Sequence, residues 1–317
     1  MKKILFAFLI ASVSLVHAQT VPVSGTVTDQ QGNPVPFAFV VDSQHPYATY
    51  SDQNGSFSLK ADPASNLFVS AAFHSEVKVK IDNPANVKVL LPLDSGSTGP
   101  AKTEKENNFF KPDESRIDHV QSINHIGTGA DQGLHGSRYL FENWVHGFAI
   151  SPKDSIKQDA TYLFNYDKIT GSLMFTRTRK TAMLVEKNEI KGFTLFDENA
   201  VPSTFEEVSA IDNKRYVQVL AHGPKYKIYR TLTTKFVKAD FTTNGFTSSG
   251  HNYDEYKDES TYYCVVGTGQ PQKFELRSKA IKAVFASEPD KVKKFFADNE
   301  GDIDDNYIKA LGEYMNQ

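Results

Sequence analysis

A chain of 317 residues is long enough to bury a substantial core as two domains or as one large β-rich domain. With 39% hydrophobic and 23% charged residues it is too apolar for a disordered polymer, and 35 basic against 38 acidic residues, a formal charge of -3, exclude the cationic excess that drives nucleic-acid binding. Its lone cysteine, Cys264, excludes an intramolecular disulfide and a multi-cysteine zinc site.

At the start of the chain, Lys2 and Lys3 precede a run of apolar and small residues over 4–16, followed by His17 and Ala18. A basic start, a short apolar stretch and small residues at the cut form the pattern of a secretory signal peptide, here 1–18. The run is shorter than the roughly 20 residues a membrane helix needs. No cysteine lies near the cut to accept a lipid. The expectation is a soluble exported protein, periplasmic or extracellular, with no membrane span after cleavage.

From 21 to 93, short bursts of alternating apolar and polar residues have the two-residue period of strands with one buried face, and seven such bursts call for a small β-sandwich. Val23 and Val27 face one way while Ser24, Thr26 and Thr28 face the other. Gly32, Asn33, Pro34 and Pro36 force a turn, and Asn54-Gly55 is a strong hairpin signal. Gly25 predicts a close backbone approach or bulge. Asp29 and Asp52 are read as acceptors for turn N–H groups, since calcium needs six or more converging oxygens.

Three stretches, Val23-Ser24-Gly25-Thr26-Val27-Thr28-Asp29, Gly32-Asn33-Pro34-Val35-Pro36 and Tyr50-Ser51-Asp52-Gln53-Asn54-Gly55-Ser56-Phe57-Ser58-Leu59, resemble the carboxypeptidase regulatory-like domain. That resemblance implies a transthyretin-like, noncatalytic β-sandwich over 19–93. The chain departs from the family at Ala72-Phe73-His74, where many members carry a Gly-Tyr pair.

Residues 94–108 contain no large apolar side chain, so a flexible polar linker is expected over 94–116 and a second domain over 117–317. Strand signals return over 139–150, 162–166, 173–178, 182–185, 190–196, 216–221, 225–232, 235–239, 262–266 and 274–276. With no helix-length pattern between them, the expectation is a larger antiparallel β-rich domain. Its end turns helical: Ser278 is read as a cap for Ile281, Val284 and Phe285, then Ser287 starts a helix carrying Val292, Phe295 and Phe296. After Gly301, Asp302 or Asp304 starts a last helix bearing Tyr307, Ile308, Leu311, Tyr314 and Met315. The fold class is therefore mainly β with two or three short amphipathic helices at the end. Tyr166-Asp167, the Ile190, Phe193 and Leu195 set, Val219-Leu220 with Gly223, and the paired helical tail resemble an uncharacterised exported family of Bacteroidetes type, which implies architecture and no activity.

Chemistry-bearing motifs are few. His119, His125, His135 and His146 have spacings that place no two on one helical turn, and Gly127, Gly129 and Gly133 open no recognisable helix. Cys264, in Tyr262-Tyr263-Cys264-Val265-Val266, reads as a small buried hydrophobe. Glu206-Glu207 and Asp304-Asp305 read as solvated charges. No catalytic residue, metal ligand or cofactor is assigned. What remains is aromatic: Trp144 and His146 on a predicted strand with Tyr139 and Phe141, and His251, Tyr253 and Tyr256 in a predicted loop over 241–260. These are candidate contacts for an envelope protein or a glycan, in a noncatalytic binding module. An accessory-domain hydrolase of peptide or glycan and a small-molecule binder in a curved sheet are the alternatives.

Overall fold

A computed structural model describes residues 20–94, 134–159, 161–177, 179, 181–243 and 246–317. The leader over 1–18, His119, His125, the three glycines at 127–133, Asn244 and all of the linker but Asp94 lie outside the described residues.

The first unit contains seven strands: β1 (Val21–Thr28), β2 (Phe39–Asp42), β3 (Ala48–Tyr50), β4 (Ser56–Ala61), β5 (Asn66–Ser70), β6 (Val77–Lys80) and β7 (Val87–Leu90). They form two sheets, ordered β4-β1-β7 and β3-β2-β5-β6. Val23, Val27, Phe57 and Leu59 from one sheet and Val40, Leu67 and Val69 from the other close a single core. Burying alternate apolar side chains this way is the main stabilising term, at roughly 25 cal/mol per Å². Gly25 sits where β1 runs between β4 and β7, and a Cβ there would collide with the Val87 carbonyl oxygen and the Phe57 ring. Asp29 Oδ1 accepts from the N–H groups of Gln31 and Asn33, both at 2.8 Å. Asp52 Oδ1 does the same for Asn54 and Ser56. The Asn54-Gly55 turn forms, with Gly55 at φ +72°, yet it closes no hairpin. The strands on either side of it, β3 and β4, enter different sheets.

The second unit continues with β8 (Leu134–His135), β9 (His146–Ile150), β10 (Ile156–Lys157), β11 (Leu163–Asp167), β12 (Ser172–Thr176), β13 (Met183–Leu184), β14 (Gly192–Phe196), β15 (Pro202–Glu206), β16 (Val217–His222), β17 (Tyr226–Val237), β18 (Thr242–Thr243), β19 (Ser248–Ser249), β20 (Asp254–Val266) and β21 (Gln272–Phe274). The main sheet runs β10-β9-β14-β15-β16-β17-β20-β21, with β8 added in parallel beside β20. A small sheet, β11-β12-β13, shares a core with Phe193, Leu195 and Phe205 of the main sheet.

Three helices follow: α1 (Ser278–Val284), α2 (Pro289–Asp298) and α3 (Asp305–Asn316). Ile281, Phe285, Val292, Phe295, Ile308, Leu311 and Met315 pack on Leu220, Tyr226, Ile228 and Cys264 of the sheet. Asp304 caps α3, accepting from the Tyr307 N–H at 2.8 Å. Neither serine caps a helix: Ser278 is already helical behind Arg277, and Ser287 instead shares a hydrogen bond with the Tyr226 hydroxyl at 2.8 Å.

Several strand assignments change, and four two-residue strands (β8, β10, β18 and β19) fall outside the predicted ones. Between the bridges of Tyr139 to Asp167 and Val145 to Phe164, residues 140–144 are irregular, and the Asn165 side chain competes for their backbone, donating to Phe141 O (2.8 Å) and Asn143 O (3.2 Å). Pro202–Glu206 is a strand despite its proline, whose missing N–H falls at the strand's first residue. The two predicted strands over 225–239 are one twelve-residue strand, and the predicted loop is strand from Asp254 onward, since each supplies the other's ladder from Tyr226↔Val266 to Val237↔Glu255.

Candidate functional site

The long pairing of β17 with β20 has a local geometric consequence. On one side β16 pairs with β17 no further than Arg230, and on the other β21 pairs with β20 only over Tyr262, Tyr263 and Cys264. Beyond these, residues 231–237 and 254–261 form a two-stranded ribbon, about 23 Å long at roughly 3.3 Å per residue. β8 borders its far end at Asp254 and Glu255. Along 231–237 the outer edge of β17 pairs with no strand among the described residues.

The ribbon is fixed at one face. Lys168, buried in the β11–β12 turn, donates to both carboxylate oxygens of Asp258 at 2.7 Å. Beside it Asp167 accepts two hydrogen bonds from Arg138, from Nε at 3.0 Å and Nη2 at 2.7 Å, tying down the segment that leads from β8. At the tip, Asp240 Oδ1 accepts from the His251 N–H and Asp254 Oδ1 from the Ala239 N–H, both at 2.8 Å.

Of the ten exposed large hydrophobic side chains among the described residues, five sit on this ribbon end: Leu134, Phe236, Val237, Phe241 and Phe246. Phe246 is 98% exposed, Phe241 51% and Phe236 44%. Tyr253 stacks on His135 with ring centroids 3.8 Å apart and interplanar angle 7°, and His251 lies 5.1 Å away on the same ring. Tyr256, on strand β20 rather than in a loop, packs against Phe236 at 5.1 Å. Three of the five aromatic and imidazole candidates, His251, Tyr253 and Tyr256, are therefore gathered here. Sequence reading missed Phe236, Phe241 and Phe246; the first lay on a predicted strand and the other two in a predicted loop, with no local signal that these residues gather at one projecting end.

The other two candidates are elsewhere. Trp144 is half-buried against the cluster of Tyr139, Met174 and Ala182. His146, at the start of β9, stacks on Phe37 at 4.7 Å and faces Tyr50 at 5.5 Å, at the junction with the first unit. There the Tyr50 hydroxyl donates to Gly147 O and accepts from Gln158 Nε2, both at 3.1 Å. Phe39 and Tyr50 pack with Phe148 and Phe196 across the same junction.

Burial pushes the His146 imidazole below its ordinary value of 6.5, and the charge of Arg179 adds to this. A base depressed on folding is neutral in both states above 6.5; below it the unfolded chain takes up the proton first, so stability falls with pH until the folded value is passed. Within that window the slope approaches about 1.4 kcal/mol per pH unit. Urea unfolding between about pH 7.5 and 5.5 should show a larger loss in the native protein than in His146→Gln. Equal losses would remove His146 as the source.

Among the described residues no group of three or more His, Cys, Asp or Glu side chains is placed to hold a metal ion. Cys264 is fully buried and its thiol is pushed up to about 12 by burial. A thiol held protonated in this way is a poor nucleophile. Glu206 accepts from the Tyr229 hydroxyl at 2.5 Å, which occupies it structurally. No helix among the described residues is long and apolar enough to cross a membrane. No family model and no curated protein matches the chain.

Proposed function

We propose that this is a noncatalytic binding protein of the cell envelope, exported by its leader, which engages a protein partner through the end of the β17–β20 ribbon. The supporting observation, among the described residues, is the coincidence of an unpaired strand edge over 231–237 with half of the exposed large hydrophobic side chains. A free edge offers backbone donors and acceptors to an added strand, and flanking apolar side chains supply the burial that strand addition needs. Lys235 and Lys238 at this edge are the residues that discourage self-pairing. Exposed phenylalanine, without a hydroxyl or indole N–H, suits an apolar protein surface better than a sugar. In this reading the first unit is a carboxypeptidase regulatory-like sandwich serving as a rigid accessory.

Changing Phe236, Phe241 and Phe246 together to serine is the test. These side chains are exposed, so stability should move by less than about 0.5 kcal/mol per site. Affinity capture from envelope extract, compared between native and triple variant, should lose its specific protein bands in the variant, and the purified partner should bind on the order of a hundredfold more weakly. Unchanged capture, or binding confined to a glycan panel, would overturn the reading.

A further inference from the structure

A second feature, independent of the ribbon, lies at the junction where His146 sits. The turn before β2, the loop after β5, and β9 line a cavity of about 240 Å³ that opens to solvent. Phe37, Phe39, Tyr50 and His146 supply its rings, Val35, Pro36, Ala71 and Ala72 its aliphatic wall, and Gln158 and His74 its polar rim. Among the described residues no carboxylate, lysine or arginine lines it.

Size comes first. A dry apolar cavity of about 150 Å³ takes a benzene ring, so this one has room for a ring and a substituent. Shape follows from the walls: Phe37 and His146 stand face to face within 25° of parallel, and Tyr50 closes the side at 5.5 Å from the imidazole. Phe37 and His146 are already stacked on each other at 4.7 Å, so a guest meets this pair at ring edges and not between its faces, and edge contacts to several rings favour a flat aromatic occupant.

Polarity narrows the choice further. His146 lines the cavity, and no hydrogen bond is made by its ring nitrogens among the described residues. Gln158 spends its amide N–H on Tyr50 and leaves its carbonyl oxygen open. His74 uses Nδ1 on the Ala72 carbonyl at 2.7 Å, leaving Nε2 open. The pocket thus offers both donors and acceptors, yet no formal charge, and the nearby Arg179 that disfavours a proton on His146 disfavours a cationic guest as well.

The backbone is strained in the same place. Phe37 has φ +53° and Phe73, between two lining residues, has φ +63° and is 81% exposed. Bulky residues avoid this region, and each is held there at a cost in free energy. Phe37 holds this conformation while its ring stacks on the imidazole.

We propose that this cavity binds a small neutral aromatic molecule carrying one hydrogen-bonding group, of phenol or indole size. The ring lies among Phe37, Tyr50 and His146, and the polar group reaches Gln158 or an imidazole nitrogen.

Isothermal titration of the full-length protein with p-cresol and with indole tests it. One molecule per chain should bind saturably in the millimolar range or tighter, and the saturated analogue of p-cresol, methylcyclohexanol, should bind on the order of tenfold more weakly. Ala72→Trp, at an exposed rim position, should fill the cavity and abolish binding with its melting temperature unchanged. Phe37→Gly should weaken binding on the order of tenfold or more while relieving the strained φ, which separates loss of the site from loss of the fold. No saturable heat with either ring, equal binding of the saturated analogue, or full binding in both variants would overturn the assignment.

Discussion

Phe193→Ala should lower stability by about 3–5 kcal/mol, the full cost of deleting a buried ring whose surroundings cannot close over the void. Phe193 is fully buried in β14, stacked on Phe205 at 4.9 Å and 13°, edge-on to Tyr216 at 5.1 Å, with Tyr166 at 5.9 Å. Those neighbours are held independently: the Tyr166 hydroxyl donates to Tyr216 O at 3.2 Å, and the Tyr216 hydroxyl donates to the Lys187 and Ile190 carbonyls. Burial raises both phenolic pKa values well above 10, so the hydroxyls stay protonated and keep donating. Rings pinned by hydrogen bonds relax little into a cavity. Urea unfolding should show a lower midpoint with an unchanged slope. Phe193→Leu, which keeps most of the volume, should cost about a third as much. A loss below about 1 kcal/mol for the alanine variant would mean that the two sheets do not share this core.

Legibility in the sequence followed the range of the interactions. Period-two alternation located the strands of the first unit, and three-and-four spacing located Ile308, Leu311 and Met315, because a single buried face writes its period locally. The turn acceptors Asp29 and Asp52 were legible for the same reason, since each bonds N–H groups two and four residues on. Where a partner distant in sequence decides, the reading failed. Nothing local to Asn54-Gly55 says that its flanking strands separate into two sheets. Nothing local to Phe141 says that Asn165, more than twenty residues on, takes both its backbone N–H and its carbonyl. The site shows the same division. Aromatic content singled out His251, Tyr253 and Tyr256. Their placement on a ribbon with Phe236 depended on how far β17 and β20 outrun β16 and β21, which is a property of the sheet. His146 was singled out with Trp144 as a strand neighbour, whereas its contacts with Phe37 and Tyr50 join residues about a hundred positions apart.

Asp167→Ala should destabilise by about 3–5 kcal/mol as well, through charge and not volume. Its carboxylate is buried and is the sole acceptor for the Arg138 guanidinium among the described residues. It also holds the β11–β12 turn, accepting from the Ile169 N–H at 2.9 Å and the Thr170 hydroxyl at 2.8 Å. Alanine leaves a half-buried cation and two turn donors without their partner, and each such loss carries its desolvation penalty. Asp167→Asn keeps an acceptor for the turn and loses the paired charge, so it should fall between alanine and the native residue. The variant differs from Phe193→Ala in what it does to the ribbon. Arg138 fixes the segment that carries His135 onto Tyr253, and Lys168, next in sequence to Asp167, anchors Asp258. Freed of Asp167, both attachments loosen together. Amide exchange over 134–139 and 254–258 should therefore speed up in Asp167→Ala at urea concentrations where the molecule is still folded, and the apparent affinity for the partner should fall with it. In Phe193→Ala the same amides should exchange only through global unfolding. Were the two variants to show the same exchange pattern, the Asp167 ion pair would be a stabiliser of the core alone, and the ribbon would owe its geometry to its own ladder.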